Sequence, residues 1–251
     1  MLLEADALFK IKLLERIDYS HDIAVFRFEK PKDFDYKPGQ YATLAMEHEG
    51  KLVQRAYSMV SSPLDNDLEF IIEFVAGGSL TTIMANLKVG DTLYLRNQAK
   101  GIFYLDENYT RHLMVATVTG IAPYVSIIRT LEKKRDENQN HQIVLLHGAS
   151  IASELCDYLK ELDVIARKGW LEYVPTISRP WDEPEWAGET GRVEDLLRKY
   201  ADGFNFNHEN AVAYVCGHPQ MILNAKSILL RARFKEEQIK QEAYFPLELQ
   251  D

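Results

Sequence analysis

From residue 111 onward the chain alternates between two hydrophobic rhythms, and this alternation limits its possible folds more than any other feature. "RHLMVATVTG" (111–120) is an apolar run of strand length, and "IAPYVSIIRTLEKKR" (121–135) spaces Ile121, Val125, Ile128 and Leu131 as one face of a helix. "HQIVLLHGAS", "LEYVPTISR" and "AVAYVCGHP" are further strand-like runs. "SELCDYLKELDVIA" (153–166), "RVEDLLRKYA" and "QMILNAKSILLRARF" are the helices that follow them. Strand and helix in strict alternation predict a parallel sheet with crossover helices.

The residues before this point keep a different rhythm. "IAVFRFEKP", "KPGQYATLAM", "LEFIIEFVAGG" and "VGDTLYLRNQ" are short strands punctuated by Pro38-Gly39, Gly77-Gly78 and Gly90-Asp91. They predict an antiparallel barrel, with one short helix over "SLTTIMANLK" (79–88). The change of class falls at "QAKGIFYLDE". The expected organisation is therefore a β-barrel domain over 1–105 and an α/β domain over 106–251.

Composition narrows the function classes. With 46% hydrophobic and 27% charged residues the chain is globular, and a net charge of −9 argues against general nucleic-acid binding. No apolar run approaches the roughly 18–20 residues of a membrane helix, and the first residues lack a basic start with an apolar core. No membrane insertion, a cytoplasmic location and a monomer are the expectations. Cys156 and Cys216, the two cysteines, exclude a four-cysteine zinc or iron–sulfur centre within these residues, and no metal site is expected.

Three strand ends of the second half carry residues suited to an anionic ligand. "TVTGIAP" offers Thr119 and Gly120 at a strand-to-helix turn, where helix N–H groups favour a diphosphate. An ordinary glycine turn reads equally well from these residues. "TISRP" offers Ser178 and Arg179, and "TGR" offers Arg192; an arginine at this place in such folds accommodates the 2′-phosphate of NADP. "YVCGHPQM" places Cys216, Gly217 and Met221 at the third turn, with Pro219 at a helix start. In the first half, "QRAYSMVSSP" (54–63) sets Arg55, Tyr57 and Ser58 close together, and "GGSLTT" (77–82) is a glycine-rich turn entering a helix. A flavin dinucleotide fits them: Arg55 toward the diphosphate, Tyr57 on the ring, Ser58 at a polar ring edge.

Taken together and in this order, these motifs resemble the ferredoxin–NADP reductase family, in particular its bacterial ferredoxin/flavodoxin–NADP reductases. The resemblance runs through nearly the whole chain, and the R-x-Y-S and C-G-x-P-x-M motifs are specific as a pair. It implies an FAD-binding barrel followed by an NADP-binding α/β domain. Arg55, Ala56, Tyr57, Ser58, Gly78, Ser79, Leu80, Thr81 and Phe245 would then contact FAD. Thr119, Gly120, Ser178, Arg179, Arg192, Gly217 and Met221 would contact NADP(H). Ser58, Cys216 and Tyr244 would flank the reacting rings, and a ferredoxin or flavodoxin would be the protein partner. Two departures stand out. Val118 occupies the place of the first glycine in the family's G-T-G-x-A/G-P, and Ser150 that of an arginine which many relatives carry. Two alternatives belong beside this reading. One is an NAD(P)H:flavin or oxygenase-type reductase of the same superfamily; the other is a non-catalytic flavin-binding subunit.

Overall fold

The computed structural model describes residues 8–75, 77–78, 80–135 and 140–243. They form two compact units. One holds the described residues up to Leu105 together with Ala122–Lys133; the other holds Asp106–Ile121 and the described residues from Lys134 on.

The first unit is an antiparallel sheet of β1 (Leu8–Asp18), β2 (Ile23–Glu29), β3 (Tyr41–His48), β4 (Lys51–Ser58), β5 (Asp67–Glu73) and β6 (Thr92–Arg96). Its strand order is β4-β3-β6-β1-β2-β5. Period-two patterning explains its two faces: Ile11 and Leu13 of β1 and Leu93 and Leu95 of β6 are buried, while their neighbours in sequence are not. A bulge between Leu13 and Glu15 breaks the β1–β2 register, and such bulges bend a strand. The core gathers Phe26, Phe28, Phe34, Phe70, Leu44 and Met59, and each fully buried phenylalanine contributes about 1.5–3 kcal/mol. Beyond β4 the chain crosses to β5, where Val60 N donates to Glu69 O at 2.9 Å.

The expected helix over 79–88 is only one turn, α1 (Thr81–Met84). Leu80 just before it is buried in the core, which fixes the turn there.

Helix α2 (Ala122–Lys133) packs with this first unit. The reason lies in buried hydroxyls. Ser126 Oγ donates to Ser61 O at 2.7 Å, and Thr130 Oγ1 donates to Ser126 O at 2.7 Å. The Ser62–Thr130 hydroxyl contact of 2.8 Å therefore has Ser62 as donor. Tyr36 Oη also reaches Ser61 O, at 3.0 Å. Arg129 meets the buried Glu69 at 3.2 Å, and Glu69 in turn meets Arg27 at 3.1 Å.

The second unit is a parallel sheet of β7 (Arg111–Thr117), β8 (Gln142–Ala149), β9 (Leu171–Ile177), β10 (Glu189–Thr190), β11 (Ala211–Gly217) and β12 (Ile239–Ala243). The order is β10-β9-β8-β7-β11-β12. Every residue of β11 is buried, as expected of a strand covered on both faces. The helices are α3 (Tyr158–Ala166), α4 (Val193–Gly203) and α5 (Pro219–Arg231). Helix α3 starts later than the 153–166 expected, because Leu155 is anchored in a small cluster with Ala149 and Ile177. Cys156, at φ 54°, then breaks the helical run.

Growth of this sheet reverses at β7. β8 to β10 add on one side of it, and β11 and β12 on the other. The carboxyl ends of β7 and β11 thus form a topological switch point, where such sheets bind ligands.

Candidate active site

In the first unit the candidate residues sit on β4, an edge strand. Tyr57 pairs with Ala42 and Arg55 with Leu44, both inward-facing residues of β3. Arg55 is exposed, while Val53 and Tyr57 on either side of it on the same face are half-buried and pack on the core. An apolar strip with one cation in it suits a flat aromatic ligand with an anionic arm. Arg55 Nη1 donates to Gln54 O at 2.7 Å. Burial pushes the Tyr57 hydroxyl up to about 12, with Arg55 pulling the other way, so the phenol stays neutral and can donate. Ser58 is the last residue of β4, buried and opposite Tyr41; Ala56 is exposed.

The glycine turn before α1 is tight. Gly78 N donates to Val75 O at 2.9 Å, and a Cβ on Gly78 would lie 2.2 Å from Thr81 Oγ1. A four-residue helix has little dipole, so an anion here would rely on main-chain N–H groups and the Thr81 hydroxyl. With the Leu80 side chain in the core, only its backbone is available. These residues fit a dinucleotide's ring and diphosphate. Ser79, Tyr244 and Phe245 lie outside the described residues.

In the second unit the ends of β7 and β11 interlock. Residues Val118–Ile121 form a turn of 3-10 helix, in which Thr119 and Gly120 are buried. A Cβ on Gly120 would lie 2.3 Å from Cys216 O and 2.8 Å from Gly217 Cα. The missing side chain at Gly120 thus serves close packing of two turns; its own hydrogen faces the β11 backbone. From the other side, His218 N donates to Thr117 Oγ1 at 2.8 Å. His218 also caps α5, its Nδ1 accepting from Gln220 N at 3.1 Å ahead of Pro219.

Cys216 is fully buried within β11, and its carbonyl seats Gly120. Met221 is buried among core side chains of α4, α5 and β11. Gly217 is buried too, and a Cβ there would lie 2.3 Å from Thr117 Oγ1.

The two arginines follow neighbouring strands. Past β9, Ser178 N donates to Ala149 O at 2.9 Å and Arg179 N to Ser150 O at 3.0 Å. On the other side of β9, Thr190 pairs with Ile177, and Gly191 N donates to Ile177 O at 2.9 Å. Arg179 and Arg192 are both exposed, each two residues past the paired Ile177 and Thr190. Along the carboxyl edge the order is arginine pair, Ser150, the Val118–Ile121 turn, then Gly217.

Sequence reasoning missed Trp181, His147 and the conformation of Val118. Trp181, 73% exposed, directly follows Arg179 and Pro180 and offers a stacking face. Val118 has φ 43°, a left-handed conformation rare for a β-branched residue. His147, buried in β8, reaches Val118 O with Nε2 at 3.1 Å. The signal for His147 was present: a histidine inside an apolar strand must find partners.

Comparison with known proteins matches residues 10–104 to the oxidoreductase FAD-binding domain and residues 114–227 to the oxidoreductase NAD-binding domain. The flavodoxin/ferredoxin–NADP reductase of Escherichia coli (strain K12) is 36% identical over 195 residues, covering 74% of this chain and 76% of that protein. This chain belongs to the ferredoxin–NADP reductase family. It is an oxidoreductase with an FAD-binding and an NAD-binding domain.

The family extends to oxygenase components. The reductase component of phenol 2-monooxygenase from Pseudomonas sp. (strain CF600) is 31% identical over 233 residues, covering 91% of this chain and 63% of that protein. Among solved structures, a ferredoxin NADP+ reductase from Neisseria gonorrhoeae with bound FAD and NADP superposes with a TM-score of 0.84. It is 24% identical, covers 95% of this chain and 99% of its own, and establishes the shared fold. Among the described residues no helix is long and apolar enough to cross a membrane, and no group of three or more metal-ligating side chains occurs.

Proposed function

We propose that the protein is an FAD-dependent ferredoxin/flavodoxin–NADP(+) oxidoreductase, exchanging a hydride with NADP(H) and single electrons with a small carrier protein. The observation that carries the NADP part is the arginine pair. Arg179 and Arg192 are exposed, each two residues beyond the paired Ile177 and Thr190 at the ends of β9 and β10. Two guanidinium groups there match the 2′-phosphate that only NADP has.

Bound FAD supplies the link between two-electron and one-electron chemistry. The chain's own residues bind and orient. In residues 1–105 Arg55 neutralises the diphosphate, the neutral Tyr57 phenol packs on the ring system, and the Gly78–Thr81 turn receives the diphosphate with main-chain donors. Ser58 donates at the ring's polar edge. In residues 106–251 Ser178, Arg179 and Arg192 hold the 2′-phosphate, and the Val118–Gly120 backbone lies along the nucleotide's diphosphate. The Gly217 main chain contacts the nucleotide. Hydride transfer needs no side-chain acid or base, in keeping with a buried Cys216. The carrier is a ferredoxin or flavodoxin, and the enzyme works as a cytoplasmic monomer.

The test is the visible spectrum of the purified holoprotein, followed anaerobically as NADPH or NADH is added. A flavin band that bleaches fast with NADPH and slowly with NADH, and that then reduces a flavodoxin, supports the proposal. Equal rates with both nucleotides favour an oxygenase-type reductase, the reading that the 31% identity to the phenol 2-monooxygenase component supports. Flavin that neither nucleotide bleaches leaves a non-catalytic flavin-binding subunit.

A further inference from the structure

We propose that His147 is a positioning residue for nucleotide binding: its hydrogen bond to the Val118 carbonyl holds that valine left-handed and so aims the backbone of the Val118–Ile121 turn at the dinucleotide. This rests on the reading of that turn as the nucleotide's diphosphate seat.

The direction of the network follows from elementary bookkeeping. His147 is fully buried, and burial lowers its pKa to about 4, so the ring is neutral at pH 7 and carries one N–H. The Val118 carbonyl only accepts, so the proton is on Nε2, 3.1 Å away. Nδ1 is then an acceptor, and the Tyr173 hydroxyl at 3.1 Å is its donor. Burial raises the Tyr173 pKa, so this phenol keeps its proton. Three neighbouring strands take part: Tyr173 is on β9, His147 on β8, and Val118 follows β7.

Val118 needs such a hold. At φ 43° a β-branched side chain is strained, and glycine would adopt the same backbone without strain. The Val118 side chain packs on Ala149, Leu155 and Ile177, which leaves its carbonyl as the part that another residue can grip. A buried hydrogen bond and a left-handed non-glycine residue are of similar energetic size, so losing the bond frees the turn to rotate.

The experiment is a double-mutant cycle on the holoprotein: His147→Leu, Val118→Gly and the pair, with His147→Gln as the variant that keeps a donor in place of Nε2. The readouts are KM and kcat for NADPH, the melting temperature, and amide exchange of residues 117–121 with and without NADP+. His147→Leu is expected to raise KM about tenfold with kcat within about twofold, the size of one hydrogen bond. His147→Gln is expected to recover most of that. In the Val118→Gly background the same leucine substitution is expected to change KM less than about twofold, because glycine needs no clamp. Equal KM effects in both backgrounds, or a fall in melting temperature with KM unmoved, overturn the clamp. If NADP+ fails to slow exchange at 117–121 in the wild type, the diphosphate reading of the turn fails and the clamp's role in nucleotide binding falls with it.

Discussion

Gly120→Ala is the most discriminating single change this structure offers. Gly120 is not in the left-handed region, so alanine meets no backbone penalty there. The whole cost comes from the close approach. The added Cβ would stand 2.3 Å from Cys216 O, 2.7 Å from Cys216 C and 2.8 Å from Gly217 Cα. All three are main-chain atoms at the end of a fully buried strand, so no side chain can swing aside. Restoring ordinary contact requires the two turns to part by about 1 Å, an overpacking that costs about 3 kcal/mol. For a protein of this size that lowers Tm by about 6–12 °C. The same 1 Å moves the turn proposed to seat the nucleotide, and displacement on that scale costs on the order of 10²-fold in transfer rate.

The assay compares wild type, Gly120→Ala and Gly203→Ala as purified holoproteins. Gly203 ends α4 with nothing within 4 Å of its Cβ position, so alanine there is expected to be neutral or stabilising by up to about 1 kcal/mol. Thermal melts report the packing cost. Anaerobic stopped-flow mixing with NADPH reports the turn, and flavin absorbance shows that the first unit is intact. Gly120→Ala with a Tm within about 2 °C of wild type and an NADPH reduction rate within about twofold would refute the interlocked-turn argument.

Three further outcomes are expected. Arg179→Ala with Arg192→Ala should raise KM for NADPH by at least about tenfold per arginine, from lost charge-assisted bonds, and leave NADH within about twofold; steady-state kinetics with both nucleotides checks this. Ser61→Ala should destabilise by about 1–3 kcal/mol in urea titrations, because the Glu69 N–H now donating to Ser61 Oγ at 3.1 Å would be left buried and unpaired. Stability should fall as pH drops below about 6.5, because His147 and His112 titrate near 4 and 3 when folded, so the unfolded chain binds the extra protons. Urea midpoints between pH 7 and 5 should give up to about 1.4 kcal/mol per pH unit for each histidine, and His147→Gln should remove one share; a flat profile contradicts both burial assignments.

The two sheets were legible because their patterns are local. Alternation buried Leu93 and Leu95 of β6, and continuous apolar runs made β8 and β11. The boundaries of what could be read are equally physical. Strand β1 alternates Lys10 and Lys12 with Ile11 and Leu13, a signal that local patterning carries. Helix α2 follows the second-half rhythm, yet its Ser126 and Thr130 are buried against Ser61 and Ser62 of the first unit. Those serines also settle the rest of "QRAYSMVSSP": its first half presents Arg55 and Tyr57, and its second half binds a helix. At the candidate site, glycine and arginine positions were visible one by one. Their gathering depended on β9–β10 pairing, and the burial of Cys216 and Met221 depended on neighbours far away in the chain.

Val118 shows why some of the site resists local reading altogether. A glycine at that place carries its conformational freedom within one residue, and a sequence motif can record it. A valine at φ 43° must be held there by something else. In this chain the holding groups are His147, 29 residues on, and Tyr173, a further 26. The information that sets the turn has thus moved from one position to three strands. A motif search sees only the missing glycine and infers a damaged turn. The hydrogen-bond count sees a buried histidine whose two ring nitrogens both have partners, one of them the displaced carbonyl. The second observation accounts for the first, because a strained residue persists only where its surroundings over-determine it.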